Sequence, residues 1–117
     1  MNTPEVIGAL GALAHEHRLA IFRLLVERGP EGFPAGVIAE RVGLVPSSLT
    51  FHLQALQRAN LIRQVRASRQ LIYSADFTAM NGLVGYLTDN CCAASGAGCE
   101  TGCMPRAQKP AKRGRAA

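Results

Sequence analysis

The sequence predicts a mostly α-helical fold with one small β-hairpin, a winged helix-turn-helix in the order α-α-α-α-β-β-α that forms a homodimer through its terminal helices. Three observations carry this expectation. Apolar residues recur at helical spacing in five stretches, a short glycine-containing turn separates the third stretch from the fourth, and two β-prone runs around a basic tip follow at once. The 117 residues, 48% hydrophobic and 18% charged, fit one domain with a single modest core. With no Trp and 5% aromatic residues, that core is aliphatic.

The first stretch, residues 4–13, places Val6, Ile7, Leu10 and Leu13 at helical spacing after Thr3 as N-cap, with Pro4 at the first helical position. Gly8 and Gly11 weaken it, so its order has to come from packing against another element. His15 to Glu27 carry Leu19, Phe22, Leu25 and Val26 on one face, with Glu16, Arg18, Arg23 and Glu27 largely on the other; Arg28, Gly29 and Pro30 stop this helix. Gly32, Phe33 and Pro34 open a third helix, Ala35 to Val42, with Val37, Ile38 and Val42 facing inward and Gly43 ending it. Val45, Pro46, Ser47 and Ser48 begin a fourth that runs to about Ala59, with Leu49, Leu53 and Leu56 as its buried ridge.

Leu61 to Val65 and Gln70 to Ser74 are the β-prone runs, joined by Arg66-Ala67-Ser68-Arg69. From Asp76 or Phe77 to about Thr88 the chain returns to helix, with Phe77, Met80, Leu83, Val84 and Leu87 on one stripe. Too little partner surface remains inside one chain to cover both terminal helices. They are therefore expected to pair across a homodimer, the alternative being an isolated three-layer monomer. Three segments follow: 1–90 for DNA binding and dimerisation, a cysteine-rich inducer segment 91–103, and a basic, disordered tail 104–117, rich in Pro, Ala, Lys and Arg. The longest apolar run, Val6 to Ala14, is far short of a membrane span and has no basic leader, so the chain reads as soluble and cytoplasmic.

Charge is segregated along the chain. Residues 1–40 hold three Arg against five Glu, whereas 41–75 hold Arg41, Arg58, Arg63, Arg66 and Arg69 with no acid at all. Residues 76–105 carry three acids and no Lys or Arg, and 106–117 carry five cations. An unopposed basic block of this kind suits a polyanion, here double-stranded DNA. On the fourth helix, a step of 100° per residue gathers Ser47, Thr50, Phe51, Gln54 and Arg58 opposite the leucine ridge. Hydroxyls, an amide and a guanidinium are the groups that reach base edges and phosphates in a major groove. Gln54 is the base-contact candidate, Ser47, Ser48 and Thr50 serve bases or backbone, and Phe51 lies against a thymine methyl. His52 falls nearer the ridge, as a hydrogen-bonding packing residue. Arg66 and Arg69 at the wing tip are cations for a minor groove or for phosphates. No paired carboxylates, Cys-His couple or glycine-rich phosphate loop can be placed on a cleft, so catalysis finds no support.

All four cysteines, Cys91, Cys92, Cys99 and Cys103, fall within 13 residues behind the last helix. A cytoplasmic chain keeps them reduced. An all-sulfur set favours soft, thiophilic ions over magnesium, calcium or manganese. Three thiolates around trivalent arsenic or antimony fit, as do cadmium, lead or zinc with four; a thiol redox switch is the rival.

Residues 5–90 resemble the ArsR/SmtB family of winged-helix metalloregulatory repressors. The likeness rests on the run from Ala12 to Ile21, which is similar to the opening of the family's second helix, and on Pro46 to Leu56, which is similar to its recognition helix. Arg58-Ala59-Asn60-Leu61-Ile62 then resembles the passage into the wing. The resemblance implies a homodimer that binds an inverted-repeat operator, represses a resistance operon and dissociates when a toxic ion binds. It leaves the ion open. Phe33 to Ala39 has no cysteine where the best-known arsenic sensors carry a Cys-Val-Cys-like motif, and the zinc sensors' last-helix ligands are missing apart from Asp76 and Asp89. Some arsenic-responsive members carry a vicinal cysteine pair and one later cysteine, which by resemblance assigns Cys91, Cys92 and Cys99 to arsenite or antimonite and leaves Cys103 without a counterpart.

Overall fold

The computed structural model describes residues 1–94. Its elements are α1 (Thr3–Leu13), α2 (Glu16–Arg28), β1 (Phe33–Pro34), α3 (Ala35–Val42), α4 (Pro46–Arg58), β2 (Ile62–Ala67), β3 (Gln70–Ala75) and α5 (Phe77–Thr88). The five helices, the turn between α3 and α4 and the following hairpin have the winged helix-turn-helix order. Among the described residues no helix is long and apolar enough to cross a membrane.

A core of Ile21 and Leu25 from α2, Ile38 from α3, Leu49, Leu53 and Leu56 from α4 and Leu61 beyond it is fully buried. The α4 ridge lies where its spacing predicts. Burial of each such aliphatic side chain is worth about 1.5–3 kcal/mol, so α4 is held chiefly by this ridge rather than by its two serines and threonine, which are poor helix formers. Gly43 adopts the left-handed conformation at the C-cap of α3 (φ 74°), and its N–H and that of Leu44 both bond to the Ala39 carbonyl, closing the helix-turn-helix turn.

Four local expectations are corrected. Asn2, not Thr3, caps α1, and it does so through a reciprocal capping box with Glu5. The inward face of α1 is Val6, Ala9 and Ala12; Ile7 and Leu10 are exposed. These small side chains pack α1 against α2 and α4. In α2, Leu19 is exposed and Ile21 takes its place beside Phe22 and Leu25, while Val26 is only partly covered. In α3, Ile38 is joined by Ala39 in the core, with Val37 and Val42 half-buried.

The hairpin is larger than predicted, and a further strand joins it. The sheet is antiparallel in the order β1-β3-β2, with Phe33 opposite Tyr73 and Pro34 opposite Ile72. Gly32 (φ 67°) makes this possible: a Cβ there would run into the Tyr73 carbonyl. Proline suits β1 because the strand lies at the sheet edge. The guanidinium groups of Arg28 and Arg41 both lie over the Phe33 ring, 4.8 and 4.9 Å from its centroid. Arg41 thus belongs to the scaffold as well as to the basic block. Strand β2 reaches Ala67, opposite Gln70, so the turn is only Ser68-Arg69, with Ser68 at φ 58°.

Residues 1–86 form one unit, and a second begins at Leu87. Within the first, the Thr3 hydroxyl and the Tyr86 hydroxyl lie 2.6 Å apart and tie the start of α1 to α5. Of α5, only Leu83 is buried, with Phe77 and Met80 partly covered, whereas Val84, Tyr86 and Leu87 are exposed. Cys99, Cys103 and the tail 104–117 lie outside the described residues.

Candidate nucleic-acid interface

Helix α4 starts without a side-chain cap, Val45 being the N-cap and Pro46 the first helical residue. Pro46 has no N–H to lose, and the backbone amides that follow it carry the positive end of the helix toward solvent. Ser47, Thr50, Phe51, Gln54 and Arg58 are all exposed on the same side, and Ser48 is half-buried. The sequence-derived face is therefore brought together. Thr50 Oγ1 donates its only proton to the Pro46 carbonyl at 3.0 Å, so outward it offers a methyl group and acceptor lone pairs, not a donor. Gln54 retains an amide that can both donate and accept, the pattern that reads adenine.

In the wing, Arg66 stands opposite Leu71 inside the ladder, and Arg69 occupies the turn. This corrects the placement of Arg66 at the tip. Arg63 and Arg66 project to opposite faces of β2 because side chains alternate along a strand. Gln64 reaches across to donate to the Tyr73 hydroxyl at 2.8 Å and braces the hairpin base. The ion pairs among the described residues are Arg23 with Glu27 and Arg28 with Glu31, both at the surface. Arg58, Arg63, Arg66 and Arg69 thus have no carboxylate partner among the described residues, which leaves four cations on α4 and the wing for an external anion.

Phe51 is 57% exposed, yet it is not loose. The Arg18 guanidinium carbon lies 5.6 Å from its ring centroid, and the His52 ring meets it edge-on at 5.6 Å. His52 is the single buried polar side chain among the described residues, 7% exposed, and its Nδ1 accepts from Arg18 Nε at 3.2 Å. Its ring also sits 4.7 Å from that of His15 and 5.7 Å from that of His17. Burial first, then the charges of His15, Arg18 and His17, hold the His52 imidazole below its ordinary range. His15 is itself committed, since its Nδ1 caps α2 by accepting from the His17 amide at 3.1 Å. Sequence reading found His52 as a packing residue but overlooked His15, His17 and Arg18. The signal was the His-x-His-Arg run at the mouth of α2.

The thiols of Cys91 and Cys92 lie 3.6 Å apart at the surface, in a turn where Cys91 N–H bonds to the Thr88 carbonyl and Cys92 has φ 64°. Two thiolates on one tetrahedral zinc, each about 2.3 Å from the metal, stand about 3.8 Å apart, so the pair is spaced to share one soft centre. The hydrogen bond with Cys92, then desolvation, then the charge of its neighbour, raise the Cys91 thiol above its ordinary range. A bound ion must displace those protons. No three His, Cys, Asp or Glu side chains among the described residues form a metal-binding group.

A family described as a helix-turn-helix domain matches residues 13–65. The nodulation protein NolR of Rhizobium meliloti is 35% identical over 82 residues, 70% of this chain and 65% of its own length, so the match spans a little under two thirds of that relative. The crystal structure of NolR from Sinorhizobium fredii superposes with a TM-score of 0.59 at 33% identity, over 74% of this chain and 83% of that one. An ArsR-like transcriptional regulator from Rhodococcus sp. RHA1 gives 0.62 at 26% identity, over 79% and 90%.

Proposed function

Because this chain belongs to the ArsR/SmtB family of winged-helix transcriptional regulators, we propose that it represses a metalloid or metal resistance operon by binding an inverted-repeat operator as a homodimer. The family and fold are those of regulators, not of enzymes. The observation that carries the DNA reading is the exposed α4 face joined to a wing whose arginines have no carboxylate partner among the described residues. The face supplies base contacts through Gln54 and Phe51, and Ser47, Ser48, Thr50 and Arg58 reach backbone or bases. Arg66 and Arg69 add phosphate contacts from the wing. Homodimerisation is supported by large apolar side chains that are exposed on α1 and α5, Ile7 and Leu10 on one and the ring of Tyr86 on the other.

The inducer is trivalent arsenite or antimonite, taken up by Cys91, Cys92 and Cys99; a soft divalent metal would add Cys103 as the fourth sulfur. Arsenous acid condenses with three thiols: three As–O bonds give way to three As–S bonds, and the thiol protons leave in three waters. The spacing and exposure of the Cys91 and Cys92 thiols support this reading. Closing such a loop biases the dimer away from the spacing of about 34 Å that successive half-sites demand of two recognition helices. A coupling of about 3 kcal/mol would weaken operator binding about 150-fold.

The test is a gel shift on the protein's own promoter duplex. Arsenite should release the wild-type chain, whereas Cys91→Ser should stay bound. Continued release of that variant would overturn the cysteine assignment. Release by peroxide but not arsenite would instead identify a thiol-redox repressor. Release by cadmium, lead or zinc alone would identify a sensor of soft divalent metals.

A further inference from the structure

We infer that Arg18, on α2 and outside the DNA-facing surface, is a positioning residue for sequence discrimination: it fixes Phe51 on the recognition face through a stacked guanidinium and locks His52 behind it. The inference rests on the reading of α4 as the DNA-contacting helix. Three facts lead to it. Arg18 is half-buried and has no carboxylate partner among the described residues, so its cation is committed to α4. Its Nε donates to His52 Nδ1 while its guanidinium carbon lies within cation-π range of the Phe51 ring. His15 and His17 pack beside His52, their ring centroids 4.7 and 5.7 Å from it.

The chemistry is directional. An imidazole that accepts at Nδ1 carries its proton on Nε2, so the Arg18 contact selects one tautomer and one ring orientation for His52. The His52 ring in turn meets Phe51 edge-on at 65°. A phenylalanine that is more than half exposed would otherwise sample several rotamers, and each would present a different apolar surface to a thymine methyl. Holding it in one rotamer before binding removes an ordering cost that would otherwise fall on the specific complex. Lysine cannot replace arginine here, because a point ammonium lacks both the planar face and the Nε donor.

The experiment uses the full chain with its own promoter duplex and a random duplex of equal length, titrated over a range of salt. Arg18→Lys and Arg18→Gln should lower the promoter-over-random affinity ratio about 5- to 10-fold, the loss of one such stacked, hydrogen-bonded contact, and leave the salt slope unchanged. In a Phe51→Ala background the same substitutions should cost almost nothing more. In the wild-type chain, nitrogen NMR of the histidines should show His52 protonated on Nε2 alone.

Equal loss on both duplexes with a salt slope shallower by about 0.9 would make Arg18 a phosphate ligand and overturn the inference. A His52 protonated on Nδ1 would overturn it even if the Arg18 variants failed to fold. Should Phe51→Ala and Gln54→Ala both leave promoter preference intact, the α4 reading itself fails. If they abolish it while the Arg18 variants do not, only the inference fails.

Discussion

Helices α4 and α5 are nearly equal in length and both carry apolar stripes, but they cover them differently. The leucine ridge of α4 is buried completely within one protomer, against α1, α2 and α3, and its opposite face is polar and exposed. Helix α5 buries one side chain, Leu83, while Val84, Tyr86 and Leu87 are about half exposed. Helix α1 shows the same habit, burying two alanines and a valine while Ile7 remains 64% exposed. A helix that completes its core at home can devote its outer face to a polyanion. A helix that leaves aliphatic surface uncovered is suited to meet a second copy of the chain, because a contiguous exposed apolar face is rare on a monomer.

The sharpest way to break this comparison is a charge on the open side. Ile7→Glu should leave the protomer folded and convert the proposed homodimer to monomer in light scattering. Symmetry counts the lost burial twice, so about 3–6 kcal/mol of association free energy should go, on the order of 10²- to 10⁴-fold in the dimer constant. An unchanged oligomeric state would remove α1 from the interface. On the closed side the effect moves to stability. Leu53→Ala should cost about 2–5 kcal/mol in urea unfolding, as deletion of a well-packed core leucine does. Phe51→Ala, two residues away on the exposed face, should fall within about 1 kcal/mol of wild type while losing promoter affinity. Equal destabilisation by the two would mean that α4 has no free face.

What could be read in the sequence follows the same division. The α4 ridge was legible because Leu49, Leu53 and Leu56 keep a strict helical period between clear stop signals, and α3 was legible to the residue between Pro34 and Gly43. The inward face of α1 was not, because hydrophobic size pointed to Ile7 and Leu10 while close packing selected Ala9 and Ala12. Close approach of helix backbones leaves no periodic trace of large residues. Strand β1 is two residues long and depends on Gly32 pressing against Tyr73, a tertiary contact that no local pattern announces. Of the recognition face, the residue types and their side of the helix were evident. The brace of His15, His17 and Arg18 was hidden, since it joins residues 34 positions apart in the case of Arg18 and His52.

That brace yields the subtlest test, because it couples the closed side of α4 to pH. Burial, then His15, Arg18 and His17, lower the folded His52 below the ordinary imidazole value of about 6.5, which the unfolded chain retains. Between those two values the unfolded chain binds more protons than the folded one, so unfolding is favoured as protons become available. The stabilising contribution of neutral His52 is therefore complete above about pH 6.5 and is lost as pH falls toward the lowered folded value. Protonation also removes the Nδ1 acceptor that Arg18 uses. Thermal unfolding of the wild type between pH 8 and 5 should show a midpoint that is flat at the upper end and declines below about 6.5. His52→Gln, with no titrating ring, should decline less over the same range, and the difference between the two curves isolates the contribution of His52. Parallel curves would mean that the imidazole is not held neutral by its surroundings.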